Sequence, residues 1–567
     1  MAALTEVIDY EQQGELAVIC SNNPPVNALG FAVRKGLADG ISKSMEDDTV
    51  KAIVIYCKGR TFFAGADITE FGKPMNEPSL GQVLEIIESC KKPVIAAMHG
   101  TTFGGGLETA LTCHFRIAIP GSQFGLPEVK LGLLPGAGGT QRLPRVVGVE
   151  KALQMISSGN PIGAAEALEN GLLDEITDGN LLDGALAFAK KIIAENRPLR
   201  VISQQTDKIE EVKANPEVFA NFRKSIARKT RGFDAPEACV QAVEAAVNKP
   251  FAEGLKFERS LFEKLVSGSQ SAAQRHYFFA ERQVAKIPDI PKDTPQLEIN
   301  KVAVIGAGTM GGGIAMNFVN VGVPVTLIEV KQEFLDRGLA TIQKNYDVSA
   351  SKGRMTADDV KDKMSLITGS TTLEDLADAD LVIEAVFENM DLKKEIFTKL
   401  NSICKPEAIM ASNTSYLNID EIAAVTDRPE NVIGLHFFSP ANVMKLLEIV
   451  RGEKTSKIVL ATSLKLAKKI KKIAVMVGVC FGFAGNRMFA QRRREVDALL
   501  LEGATIDQLD RVLFDFGFPM GPFVLNDLIG NDIGWDKTTS TGSNIKEILC
   551  EQGRLGIKSG AGYYKYE

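Results

Sequence analysis

Twice along the chain, short strand-like apolar runs alternate with helix-length segments. A polar stretch at residues 286–300 (KIPDIPKDTPQLEIN), punctuated by Pro288, Pro291 and Pro295, separates the two series. No sheet ladder or helix interior runs easily through such a stretch, because each proline removes a backbone donor and fixes its own φ. The chain is therefore expected to fold as two α/β bodies in series. The first series contains LAVIC from Leu16, KAIVIYC from Lys51, KKPVIAAMHG from Lys91 and FRIAIP from Phe115. Strand signals then cease, and from residue 198 to the linker segments such as GLKFERSLFEKLV place apolar residues at helical spacing, as a helical connector would. After the linker, KVAVIG, VPVTLIEV, DLVIEAV, AIMASNTS, NVIGLHFF and KLLEIV read as the strands of a second, mostly parallel sheet. Beyond Val475 the pattern turns helical again. The expected domains are residues 1–197, 198–295, 296–475 and 476–567.

Composition narrows the function classes. The 567 residues carry 65 basic and 71 acidic side chains, a net charge of −6, without the basic excess of an extended nucleic-acid binder. The longest apolar run, residues 473–485, is shorter than the ~20 residues a membrane helix needs, so no membrane span is expected. The eight cysteines are scattered, with no C-x-x-C pair and no zinc spacing, which points to a reducing compartment and no structural metal.

Two segments carry candidate chemistry. In TFGGGLETALTCHFRIAIPGSQFGLPE, the triplet Gly104–Gly106 stands where a strand gives way to a helix bearing Glu108, and Glu128 follows. Glycines there let backbone N–H groups approach a ligand at the positive end of a helix dipole. FFAGADI offers a second donor loop, with Ala66 after Gly65. Two such amides converging on one oxygen would stabilise a thioester enolate. Glu108 and Glu128 could share the acid and base roles of adding water to an activated double bond. Spacing alone also fits two solvated glutamates on loops.

In the second series, Gly306, Gly308 and Gly311 form G-x-G-x-x-G directly after a strand and before a helix, and Glu329 ends the next strand. That arrangement predicts NAD: the glycines admit the pyrophosphate, and a carboxylate accepts the ribose 2′-OH but would repel a 2′-phosphate. His436 and Glu448 lie on two strand-like runs joined by a proline-containing turn. Brought together, the acid would orient the imidazole, leaving its other nitrogen to take a hydroxyl proton.

NPPVNAL, AGADI, FGGGLE and FGLPEVKLGLLPGAGGTQRLPR, in that order, resemble the enoyl-CoA hydratase/isomerase (crotonase) family. This implies a crotonase-like spiral α/β module binding acyl-CoA thioesters, with Ala66 and Gly105 as oxyanion-hole amides and Glu108 and Glu128 holding the water. Further on, SNTSYLNIDEIA, GLHFFSPANVMKLLEIV, FGFAGNRM and GFPMGPFVLNDLIGNDIGW resemble the L-3-hydroxyacyl-CoA dehydrogenase family. That implies a Rossmann-type NAD-binding domain followed by an α-helical C-terminal domain. His436 would be the base and Glu448 its partner, Ser415 and Asn486 would position the substrate, and Glu388 and Lys393 would line the cofactor or its ribose.

The order of modules resembles the bifunctional enzymes of peroxisomal fatty acid β-oxidation, which hydrate trans-2-enoyl-CoA, in some cases also shift a 3-enoyl double bond, and oxidise the L-3-hydroxyacyl-CoA with NAD. Members of that family continue into a second helical repeat and a peroxisomal targeting tripeptide, whereas this sequence ends in GAGYYKYE. The expectation is peroxisomal by resemblance and otherwise cytoplasmic. The helical face after Val475 is expected either to pair two copies into a homodimer or to leave a hydratase whose dehydrogenase half binds NAD without turnover. A non-catalytic acyl-CoA-binding scaffold is the remaining reading.

Overall fold

The protein is described by a computed structural model covering residues 2–67, 70, 76–533 and 535–567, which divides into two compact units, Met1–Phe278 and Phe279–Glu567. In the first unit, β-branched runs such as Leu16–Ser21 and Ala52–Cys57 are buried almost throughout and pair in parallel. Val94–Met98, Phe115–Ala118 and Glu175–Ile176 extend the same sheet in parallel, while Ile8–Gln13 joins its other side antiparallel. A smaller sheet of Thr101–Phe103, Gln123–Gly125 and Ile162–Gly163 carries the glycine triplet at the end of its first strand.

Part of the segment expected as a connector packs into the core of the first unit. Helix Ala235–Asn248 buries Val240, Ala242, Val243 and Ala246 completely, in the same cluster as Phe62, Phe63, Leu107 and Phe124. Its small apolar residues fall on successive turns, so one face can pack closely over the helices that follow the second glycine-rich stretch.

The second unit holds an eight-stranded sheet in the order Ile367–Ser370, Val325–Ile328, Val302–Ile305, Leu381–Glu384, Ile409–Ser412, Val432–Phe437, Leu446–Arg451, Ile473–Gly478. Every neighbouring pair is parallel except Val432–Phe437 with Leu446–Arg451, where the proline-containing turn reverses the chain. Chain order reverses between Val302–Ile305 and Leu381–Glu384, which opens a crevice at their carboxyl ends. Ile473–Gly478 is the last strand of this sheet, so the sheet reaches three residues beyond the expected boundary at 475.

Four helices follow, Gly485–Leu501, Ile506–Phe516, Pro522–Ile529 and Ile545–Glu551, around a small core of Val496, Phe523 and Tyr563. Two buried aspartates compensate for its size. Asp510 accepts from the Phe523 amide (2.8 Å) and the Tyr564 hydroxyl (2.8 Å), and Asp527 from the amides of Tyr563 and Tyr564 (2.9 Å each). Among the described residues, no helix is long and apolar enough to cross a membrane.

Candidate active sites

In the first unit the glycine triplet is imposed by close approach. Gly104 takes φ +54°, a Cβ on it would lie 2.8 Å from Glu128 Oε1, and a Cβ on Gly106 would lie 1.9 Å from the Phe63 carbonyl oxygen. A Cβ on Gly105 would lie 3.3 Å from the Ala66 amide nitrogen, so the two expected oxyanion-hole residues sit side by side on neighbouring loops. The Ala66 loop is anchored through NPPVNAL: Asn27, at φ +50°, donates to the carbonyls of Lys58 and Thr61 (2.9 Å each) and accepts from the Asn23 amide (2.7 Å).

Glu108, in the first turn of helix Gly105–Thr112, is buried, and its Oε1 accepts from the amides of Ala137 (2.8 Å) and Gly139 (2.9 Å). Burial raises its proton affinity, and those two amides and Arg142 pull against the rise. Glu128 lies on the short helical turn Pro127–Leu131 with a buried Oε2 that has no hydrogen-bond partner among the described residues. Burial, and then the nearby charges of Glu108 and Glu258, push its carboxyl well above the usual range. The pair is thus differentiated, with Glu108 braced to carry charge and Glu128 placed to hold a proton.

Glu258 completes this cluster, and nothing in the sequence singled it out. It projects from helix Phe251–Val266, where alternating glutamates and lysines read as a solvated face, and its amide partners are more than a hundred residues earlier.

In the second unit the G-x-G-x-x-G turn has the shape a pyrophosphate needs. Gly306 takes φ +103° with the Ala385 carbonyl oxygen 2.7 Å from where a Cβ would stand, and a Cβ on Gly311 would lie 1.7 Å from the Gly306 carbonyl oxygen. Gly308, the cap of helix Thr309–Val319, has open space where its Cβ would be, and no side chain caps that helix. Its first amides are thus left for an anion. Glu329 folds back on the turn, accepting from the amides of Ala307 (3.0 Å) and Val330 (2.8 Å). These residues fit NAD.

The antiparallel register makes His436 and Glu448 direct partners. The imidazole Nδ1 donates to Glu448 Oε2 (2.7 Å), since an ionised carboxylate can only accept. Glu448 Oε1 accepts from the amides of Ala484 (3.0 Å) and Gly485 (2.8 Å), at the start of helix Gly485–Leu501. Burial raises the Glu448 carboxyl, but the bonds from His436, Gly485 and Ala484 outweigh it and hold the acid below its ordinary value. Nε2 is left to accept from Ser415 Oγ (3.2 Å). Asn486 follows Gly485 on the same helix; among the described residues no hydrogen bond joins it to Ser415 or His436.

Glu388 and Lys393, expected to line the cofactor or its ribose, stand beside each other, with Lys393 Nζ 3.5 Å from Glu388 Oε2. Lys393 is 1% exposed, and its ammonium is taken up by the equally buried Glu384 (2.7 and 2.9 Å), which also accepts from Ser412 Oγ (2.7 Å). Glu388 Oε1 accepts from Thr414 Oγ1 (2.6 Å) and the amides of Ser415 (2.8 Å) and Tyr416 (2.9 Å), and so ties down the turn that presents Ser415. Lys393 lies beneath this turn, its ammonium between Glu384 and Glu388. Lys393→Met leaves Glu384 buried without its cation. We expect it to destabilise the second unit by about 3–5 kcal/mol, read as a lowered urea midpoint. Asn413 was also unforeseen; its Oδ1 accepts from the Phe437 amide (2.8 Å), next to His436.

The sequence matches three family profiles: enoyl-CoA hydratase/isomerase over residues 11–230, the NAD-binding domain of 3-hydroxyacyl-CoA dehydrogenase over 301–480, and its C-terminal domain over 482–566. A peroxisomal bifunctional enzyme of Cavia porcellus is 41% identical, over 97% of this chain and 79% of that protein. One of Danio rerio is 42% identical with the same coverage. A glyoxysomal fatty acid beta-oxidation multifunctional protein of Brassica napus is 37% identical over 99% of this chain and 80% of that protein.

Proposed function

The chain belongs to the peroxisomal bifunctional enzyme family, as an enoyl-CoA hydratase and NAD-dependent 3-hydroxyacyl-CoA dehydrogenase of fatty acid β-oxidation, and from that footing we propose how its residues divide the two reactions. The carrying observation is that one chain holds both a buried carboxylate braced by two amides beside a second, half-buried one, and an imidazole whose tautomer a further carboxylate fixes.

In the first unit, the enoyl thioester oxygen lies between the Ala66 and Gly105 amides. Glu108 takes a proton from water as the water oxygen bonds to C3. The C2–C3 π pair moves onto C2 and the thioester oxygen, and Glu128 delivers its proton to C2. Each backbone donor of such an anion site contributes about 2.7–4 kcal/mol to the barrier reduction. The same pair can move a proton between C2 and C4 without water, which supports a 3-enoyl to 2-enoyl shift as a further reaction of this site.

In the second unit, His436 Nε2 takes the 3-hydroxyl proton as the C3 hydrogen leaves with its electron pair. NAD, when bound, supplies the hydride acceptor. Glu448 stabilises the imidazolium that results, and Ser415 holds the hydroxyl against Nε2. The first product is the second substrate, so one assay tests both sites. The chain is given a trans-2-enoyl-CoA and NAD, and NADH and the hydroxyacyl intermediate are both followed. NADH formation is the expected result. Intermediate accumulating without NADH overturns the second assignment, and neither product from a folded sample overturns both.

A peroxisomal location is proposed from the relatives' names. A homodimer is proposed on the apolar residues that helices Gly485–Leu501 and Ile506–Phe516 expose, among them Met488, Leu501, Val512 and Phe516. Light scattering should then give twice the 61.3 kDa chain mass, and Phe516→Glu should return it to the single-chain value.

A further inference from the structure

Residues 137–140 end a turn and open helix Gly139–Val147, and their four successive amides point alternately to two buried carboxylates. Glu108 Oε1 takes Ala137 and Gly139. Glu258 takes the other two, Oε1 from Gly138 (2.7 Å) and Oε2 from Thr140 (3.1 Å), and its Oε2 also accepts from the Thr140 hydroxyl. Glu258 is 1% exposed, although it stands on a helix otherwise studded with solvated charges. The same helix lays Phe262 over the turn, where a Cβ on Gly136 would be 2.5 Å from its ring. This helix lies beyond residue 230, where the match to the hydratase/isomerase profile ends.

Alternation has a mechanical consequence. A turn held from one side by Glu108 alone could rotate about that contact, whereas one held from both sides fixes where the Glu108 carboxylate stands. It also has an electrostatic one. Glu108, Glu128, Glu258 and the Cys239 thiol face one another, with Arg142 the cation among them, and Arg142 is itself paired with Glu88 (2.6 Å). Burial, and then the charge of Glu108, push Glu258 up to about 8, while Thr140 and the Gly138 amide favour its ionised form.

We propose that Glu258 is a positioning residue of the hydration site, holding residues 137–140 opposite Glu108 and, once ionised on the alkaline side, helping to keep one proton on the Glu108/Glu128 pair. It touches no reacting atom. The idea rests on the hydration reading above, and the two can fail separately. If the wild-type chain does not hydrate enoyl-CoA, that reading fails. If it does and Glu258 is irrelevant, only this inference fails.

The test is the hydration rate of full-length Glu258→Gln across pH 6–10, with 3-hydroxyacyl-CoA oxidation by the same sample as the folding control. Glutamine removes the charge and turns an amide donor toward one of the N–H groups. We expect kcat to fall roughly ten- to hundredfold with oxidation intact. With one negative charge gone, the group that must stay protonated loses its proton more readily, so the alkaline limb should move roughly 0.5–1 unit toward lower pH. Glu258→Asp, which keeps the charge, should leave the limb in place. A rate within twofold of wild type, or a fall with the limb unmoved, overturns the proposal. If Glu258→Gln fails to fold, Thr140→Val, which deletes one donor to the Glu258 carboxylate, should shift the limb in the same direction, and an unmoved limb there also overturns it.

Discussion

His436→Asn is expected to lower NADH formation from a 3-hydroxyacyl-CoA by roughly 10²–10⁴-fold, while the same sample hydrates enoyl-CoA at the wild-type rate. Asparagine can still fill the space beside Phe438 and Phe483, whose ring centroids lie 4.5 and 5.7 Å from the imidazole, so the loss is one of proton transfer and not of packing. Stopped-flow absorbance of NADH against the hydratase control separates the two. Glu448→Gln is expected to cost a comparable factor by a different route. Glutamine at 448 turns its amide donor toward Nδ1 or breaks the bond, because Ala484 and Gly485 both donate to the other oxygen. The imidazole then carries its proton on Nε2, the nitrogen that must accept one. Because His436 and Glu448 act as one device, the double variant should be little worse than the poorer single one.

The acidic side of this device has a sign that can be checked. Glu448 is held below 4.5, its ordinary value, in the folded unit, so the stability it contributes is complete above that value and is lost as pH falls through the lower folded one. Acid unfolding of Glu448→Gln should therefore be less steep than that of the wild type.

What could be read from the sequence follows the range of each interaction. The dinucleotide turn was legible because its requirements are local: a glycine at positive φ, a second with no Cβ facing the ligand and a third against the first carbonyl all fall within six residues. His436 and Glu448 were legible for the same reason, since an antiparallel turn of modest length can bring two strand residues into register. Glu258 and Glu384 were not. Each is a carboxylate whose burial depends on partners distant in sequence or on a lysine that itself reads as solvent-facing, and no periodicity distinguishes such a glutamate from its exposed neighbours. The same limit explains why helix Ala235–Asn248, expected as part of a connector, instead packs into the core of the first unit. Helical spacing identifies a helix with an apolar face, but not the surface that covers it.

Glu128→Gln is expected to remove roughly 10²–10⁴-fold of the hydration rate and to stabilise the first unit at neutral and alkaline pH. Both effects have one cause. Glu128 is half-buried, its buried Oε2 has no hydrogen-bond partner among the described residues, and it faces two other carboxylates, an arrangement that keeps a proton available at C2 and makes ionisation costly. The folded value lies above the ordinary 4.5, so the wild-type contribution is complete below that value and is lost as pH rises through the folded one. Glutamine cannot ionise, so it escapes the loss. Thermal melts of wild type and Glu128→Gln should coincide near pH 4.5 and diverge in favour of the variant as pH rises. Equal melts at every pH would mean that Glu128 ionises freely in the folded protein and is not the proton donor. Glu108→Gln should lose a similar factor in rate with a smaller gain in stability, because burial raises its carboxyl too but its amide partners at Ala137 and Gly139 offset much of that rise. The contrast between the two variants assigns acid and base without a bound substrate, because the carboxylate that the fold strains to ionise is the one it keeps as the acid.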